Sequence, residues 1–430
     1  VKVTDTVQTS ITGEKTSIIV NVGTPSTYDV KVNTIPVITA GEGRSVYVRV
    51  TDSCGNTVKN YDKTIRFNDD DPLTSIGDGL PSDYTFQVSE QGEHTFAATG
   101  STDTVRLKTK GTRWVKVYQT DIPSREGYHQ NIQVNPAQVT HFKVERSTLC
   151  TAGVAEDITI WAKDQFENHN DGYDTTLTFE CSVAPNWNSP APASMTNGYC
   201  YKASYVAIYK AGTGIWVRTK DASYQRQQDN IQVVAAPTHH LKVFNYPSSV
   251  QAGSTGNYVW VEAQDEYNNK YKLYTGTVTF SSSDLQAQLP GDYVFQLSDN
   301  GSRPFQVILK TVGTNWNIKA WDKYNTNITT GTQSGISVTP KSADHFVVNL
   351  STNQTVGVRS TIITVEAKDP YGNRDTNYSS DNSKTITFYS DDSGATFQPP
   401  TYNFLSTDQG YKEFKDSDGY GVTFSTGGTF

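Results

Sequence analysis

The chain has 430 residues, 11% of them aromatic, and its 36 Lys and Arg are outnumbered by 44 Asp and Glu for a formal net charge of −8. An acidic balance scattered along the chain suits neither phosphate backbones nor anionic lipid, so nucleic acid is not an expected partner. No apolar run approaches the ~18 residues of a membrane helix, so no membrane insertion is expected in this segment, and at roughly 100–150 residues per domain there is room for three or four domains.

Taken in order, the chain opens with Val1-Lys2-Val3-Thr4-Asp5, then Ile11-Thr12-Gly13 and Ser17-Ile18-Ile19-Val20. A repeated block follows. Its starts are Asp29-Val30-Lys31-Val32, His141-Phe142-Lys143-Val144, His240-Leu241-Lys242-Val243 and His345-Phe346-Val347-Val348, spaced by 112, 99 and 105 residues. Each start leads to an Ala-Gly or Val-Gly turn at Gly41, Gly153, Gly253 or Gly357. Next comes a strand of alternating apolar and polar residues that stops at an Asp: Val46–Asn56, Ile158–Asn168, Val259–Asn269 and Ile363–Asn373. Period-2 alternation closed by a turn is the pattern of a half-buried strand, and recurrence of the whole block makes this a repeat protein.

The third repeat is the most regular. Its strands are predicted at His240–Tyr246, Tyr258–Gln264, Thr275–Phe280, Tyr293–Leu297, Pro304–Lys310, Gly313–Ala320 and Gly335–Val338. Seven short strands with turns every 8–12 residues indicate a β-sandwich. The predicted organisation is therefore all-β, a linear array of Ig-like seven-stranded sandwiches: 23–136, 137–236, 237–340 and 341–430, preceded by a fragment at 1–22. Junctions are short and contain Pro at Pro25, Pro136, Pro237 and Pro340, which stiffens an array.

The combined pattern A-G, V-x-A-x-D-x-x-G-N, G-T-V-x-F-x-S-S-D, L-P, Y-x-F and L-K-T-x-G-T, clearest in Gly276–Val338 and Val356–Asp392, resembles tandem immunoglobulin-like repeats of large prokaryotic surface proteins, relatives of filamin and invasin-type modules. The resemblance implies the sandwich fold and a place outside the cell as stalk, adhesin or wall component. It implies no chemistry.

Repeat four ends at Gly427-Gly428-Thr429-Phe430, inside its sixth strand, and residues 1–22 match the end of a sixth strand plus a seventh. Joining Phe430 to Val1 restores a sound sixth strand. With no initiator Met, the segment reads as processed or excised from something longer. Two expectations follow: the chain is a window on a longer array, or Val1, Val3, Ile11, Ile18 and Val20 of one copy complete repeat four of another by β-strand addition. Either gives a structural subunit of an extracellular filament or cell-surface layer. Its expected partner is itself, head-to-tail with lateral contacts as well. The competing reading is the stalk of an adhesin whose binding tip lies outside this segment.

No catalytic motif is present, and no enzyme activity is expected. The recurrent Asp52, Asp164, Asp265 and Asp369 read as turn residues bonding their own backbone, with an inter-domain Ca2+ site as the rival. Asp69, Asp70 and Asp71, and Asp391 and Asp392, are further Ca2+ candidates, though without the spacing of a Ca2+ loop. Outside the cell one disulfide is expected among Cys150, Cys181 and Cys200, all placed at one pole of repeat two, with Cys181–Cys200 preferred and Cys150–Cys181 next. Cys54 is left free or available to another chain. Asn300, Asn327, Asn349, Asn353 and Asn377 head Asn-x-Ser/Thr triplets that permit glycosylation.

Overall fold

The computed structural model describes residues 1–35, 37–97, 103–379 and 384–430. By packing, the chain divides into two compact units. One holds Val1–Cys150, Val154–Ala207 and Thr213–Gln232, the other Thr151–Gly153, Ile208–Gly212 and Val233–Phe430. Each junction described below lies within one unit.

The third repeat shows the architecture. His240–Phe244, Tyr258–Gln264 and Ser302–Gln306 form a three-stranded antiparallel sheet. Facing it is a five-stranded sheet in the order Ser249–Gln251, Gly331–Thr339, Gly313–Asp322, Thr277–Ser282, Tyr293–Val294. Ser249–Gln251 is an addition to the seven predicted strands: the chain crosses from one sheet to the other and pairs in parallel with Ser337–Thr339. Alternation places Val259, Val261 and Ala263 inside, each 0% exposed, because successive side chains of a strand point to opposite faces. The same three-plus-five arrangement builds repeats one and two. Strand order and pairing make this an all-β, Ig-like sandwich fold.

Repeat four is different. Its three-stranded sheet, His345–Leu350, Ile362–Lys368 and Tyr411–Lys415, is complete. Opposite it, among the described residues, stand only two pairs: Thr385–Thr387 with Thr401–Asn403, and Thr396–Gln398 with Gly421–Thr423. Among the described residues no strands equivalent to Gly313–Asp322 and Gly331–Thr339 are formed, and the core face of the first strand stands open. Phe346 and Val348 are 41% and 57% exposed, whereas their counterparts Leu241 and Val243 are 2% and 6% exposed.

Residues 1–22 show the converse. Lys2–Thr4 pairs with Thr12–Glu14, and Asp5 Oδ1 accepts the Val7 and Gln8 amides at the turn. Asp322 Oδ1 does the same for Tyr324 and Asn325 in the sixth-to-seventh-strand turn of repeat three. The correspondence runs on: Val3 faces Gly13 as Ala320 faces Gly331. Ser17 has φ 60°, like Asn131 (φ 61°), Asn230 (φ 58°) and Gly335 (φ 77°). An isoleucine follows each of these left-handed residues. Ile132, Ile231 and Ile336 are buried in their sandwiches, while Ile18 is 49% exposed. The segment thus shares the turn and register of a sixth-to-seventh-strand hairpin, with Val3 and Ile18 exposed.

Burial predicts unequal costs for the same substitution. Ile336→Ala is expected to lower stability to denaturant by roughly 2–5 kcal/mol, as in other large-to-small core changes, and Ile18→Ala by less than about 0.5 kcal/mol. Urea unfolding of the two purified variants checks this.

Candidate functional site: the repeat junctions

The recurrent Asp ends its strand at the boundary with the preceding repeat, and its carboxylate organises that boundary. In repeat two, Asp164 Oδ1 accepts the backbone amides of Phe166 and Asn168, both at 2.9 Å. Its Oδ2 accepts the amide of Ala137 in the linker and the Asn168 side-chain Nδ2, both at 2.8 Å. Asp265 and Asp369 repeat the pattern with Asn269 and Asn373, and take the linker amides of Ala236 and Lys341. All three aspartates are fully buried. The turn reading of these residues is therefore correct and incomplete, since one oxygen also fixes the linker.

The asparagine four residues on carries the contact across the junction. Asn168 Nδ2 donates to the Lys108 carbonyl, and its Oδ1 accepts the Lys110 amide, both at 2.8 Å. Asn269 does this with Tyr209 and Ala211, at 2.6 and 2.9 Å. Asn373 does it with Lys310 and Val312, at 2.6 and 2.9 Å. A primary amide has a donor and an acceptor side by side, so it reads a carbonyl and an N–H two residues apart as another strand would. The residue between Asp and Asn adds packing. Phe166, Tyr267 and Tyr371 lie against Gly41, Gly153 and Gly253, where an added Cβ would overlap each ring. Those glycines also have φ of 80°, 79° and 72°, a region that favours glycine.

The receiving loop is braced by a second acid. Asp71 accepts the Lys108 and Thr109 amides and the Thr109 hydroxyl. Asp284 does so for Lys310 and Thr311, and Asp392 for Ser425 and Thr426. Burial raises the pKa of each, but these hydrogen bonds win and hold all three below the usual carboxylate range. Asp71 and Asp392, put forward as Ca2+ ligands, thus spend their oxygens on N–H and O–H donors. Asp70 accepts the Trp114 amide, Asp391 is exposed, and burial raises Asp69 to about 6. Among the described residues no group of three or more His, Cys, Asp or Glu gathers as a metal site. Asp284 went unrecognised in the sequence, although Ser-Ser-Asp after the third strand was its signal.

Repeat two corrects the cysteine placement. Cys200 lies in the fifth strand, paired with Ile160 of the three-stranded sheet, whereas Cys181 ends the third strand, opposite Val217 in the other sheet. The three cysteines therefore do not share one pole. The short strand Ala193–Met195 takes the fourth-strand place beside Thr175–Leu177 and moves Cys200 on by one. Cys150, Cys181 and Cys200 are buried free thiols, Cys54 an exposed one, and neither Cys181–Cys200 nor Cys150–Cys181 is bonded. Burial raises the pKa of all three buried thiols. Asn300, Asn327, Asn349, Asn353 and Asn377 are exposed.

No family model and no curated protein matches the chain. Solved structures do resemble it. The Escherichia coli adhesin FdeC is 14% identical with a TM-score of 0.33, over 74% of this chain and 99% of that one. Invasin, described as a bacterial integrin-binding protein, is 14% identical with a TM-score of 0.31, over 88% and 74%. Domains 1–6 of the surface layer protein SbsC are 17% identical with a TM-score of 0.22, over 88% and 47%. The sandwich assignment rests on strand order and pairing, not on these likenesses. Among the described residues no helix is long and apolar enough to cross a membrane.

Two predictions follow from the junction chemistry. Asn373→Ala strands the Lys310 carbonyl and Val312 amide and is expected to cost about 1–3 kcal/mol, whereas Asn56→Ala, at an exposed position whose side chain bonds Asp52 of its own turn, is expected to cost less; denaturant titration compares them. Hydrogen bonds from Ser425 and Thr426 hold the folded pKa of Asp392 below the ordinary aspartate value of 3.8. Its contribution is complete above that value and is lost as pH falls through the lower folded value. Thermal melts of Asp392→Asn should therefore show less acid sensitivity below pH ~4 than wild type.

Proposed function

We propose that this chain is a structural subunit of an extracellular filament or surface layer, in which residues 1–22 of one copy complete repeat four of the next. The role is mechanical, with no catalysis. The observation that carries it is the match between two incomplete surfaces: a hairpin with exposed Val1, Val3, Ile11, Ile18 and Val20, and a sandwich lacking that hairpin with Phe346 and Val348 exposed. Docking the hairpin gives repeat four the sheet partners its relatives possess. Each apolar side chain fully buried adds roughly 1.5–3 kcal/mol, and the new strand satisfies an open edge. Five exposed Asn-x-Ser/Thr acceptors would be open to glycosylation outside the cell.

Gly13 supplies the test. A Cβ at its counterpart Gly331 would overlap the Leu241 carbonyl of the first strand, and one at Gly127 would overlap that of Tyr28, yet nothing lies within 4 Å of the same point at Gly13. Gly13→Val is therefore expected to leave folding of the chain unchanged, within about 0.5 kcal/mol, and to abolish assembly. Light scattering against concentration and electron microscopy read it. Polymers from Gly13→Val like those of wild type, or wild type that stays monomeric at every concentration, would refute the joint.

A further inference from the structure

The unused copies of the junction surfaces identify a second contact. We infer that repeat four carries a docking socket for the Asp52–Asn56 turn of a second copy of this chain, beside the strand joint proposed above and resting on that reading. The socket is Gly357 with the loop Ser425–Gly427.

The register comes from three occupied examples. Gly41, Gly153 and Gly253 donate their amides to Leu107, Ile208 and Leu309, and the receiving carbonyl of each junction belongs to the next residue: Lys108, Tyr209 or Lys310. Gly357 donates to Phe424. The matching groups in repeat four are therefore the Ser425 carbonyl and the Gly427 amide. Asp392 already braces this loop as Asp71 and Asp284 brace theirs. Gly357 has φ 74°, and nothing lies within 4 Å of its would-be Cβ, where the other three glycines carry an aromatic ring.

The plug is as well formed. Asp52 accepts the Cys54 and Asn56 amides, the Asn56 side chain and the linker amide of Gly23. Asn56 bonding lowers the Asp52 pKa, to about 2. Asn56 itself is exposed, while Asn168, Asn269 and Asn373 are buried. Linker length agrees too. From the buried valine of the seventh strand to the linker amide held by Asp, Val134 to Ala137, Val233 to Ala236 and Val338 to Lys341 are each three residues, as is Val20 to Gly23. A hairpin seated in repeat four would therefore deliver Asn56 to Ser425 and Gly427, and Cys54, which stands in the aromatic position, to Gly357.

The test uses the full chain carrying Val358→Cys, a position 56% exposed beside Gly357, and a short bismaleimide to link it to Cys54. Expected are covalent dimers and longer ladders in assembled material, lost with Gly13→Val, and subunit dissociation made on the order of tenfold faster by Asn56→Ala. Polymers that remain sensitive to Gly13→Val but give no cross-link, with Asn56→Ala dissociating like wild type, would overturn the socket and leave the strand joint standing. Absence of any assembly would overturn both.

Discussion

A carboxylate buried at the end of a strand has four lone-pair directions to satisfy, and here the chain turns that obligation into a joint. The amides of the turn and of the linker come to one Asp, so turn and linker are held by hydrogen bonds to a single group. The Asn amide held by that Asp then reaches the preceding repeat. Removing the carboxylate would release the turn, the linker and the asparagine together, and Asp164, Asp265 and Asp369 are each 0% exposed.

The aromatic rings opposite the glycines depend on this arrangement. They add apolar contact, but their place is fixed by the amide two residues beyond Asp, which the carboxylate already holds. Cys54 in the first repeat shows that the turn forms without a ring. Packing and polar recognition thus contribute separately to one joint.

Much of this was legible in the sequence because period-2 alternation and the recurrent Asp are local signals. The strand-and-turn pattern of residues 1–22 could be read by comparison with repeat three, and the left-handed Ser17 agrees with the equivalent Gly335. What the sequence hid was non-local. Nothing adjacent to Asn168 indicates that its amide meets Lys108, some sixty residues earlier in the chain. The sheet of Cys200 depended on noticing a three-residue strand at Ala193, too short to show alternation. Ser249–Gln251 was hidden for the same reason.

The hairpin and the open sandwich are different surfaces, so the proposed contact between copies would be heterologous. A heterologous joint that does not close into a ring leaves two unlike ends. One would display an unfilled fourth repeat, with Phe346 and Val348 facing water, and the other a free hairpin. Such an object has a direction. Its two ends would tolerate solvent, proteases and capping partners unequally, and an anchor at one end would decide which surface faces outward for every later subunit.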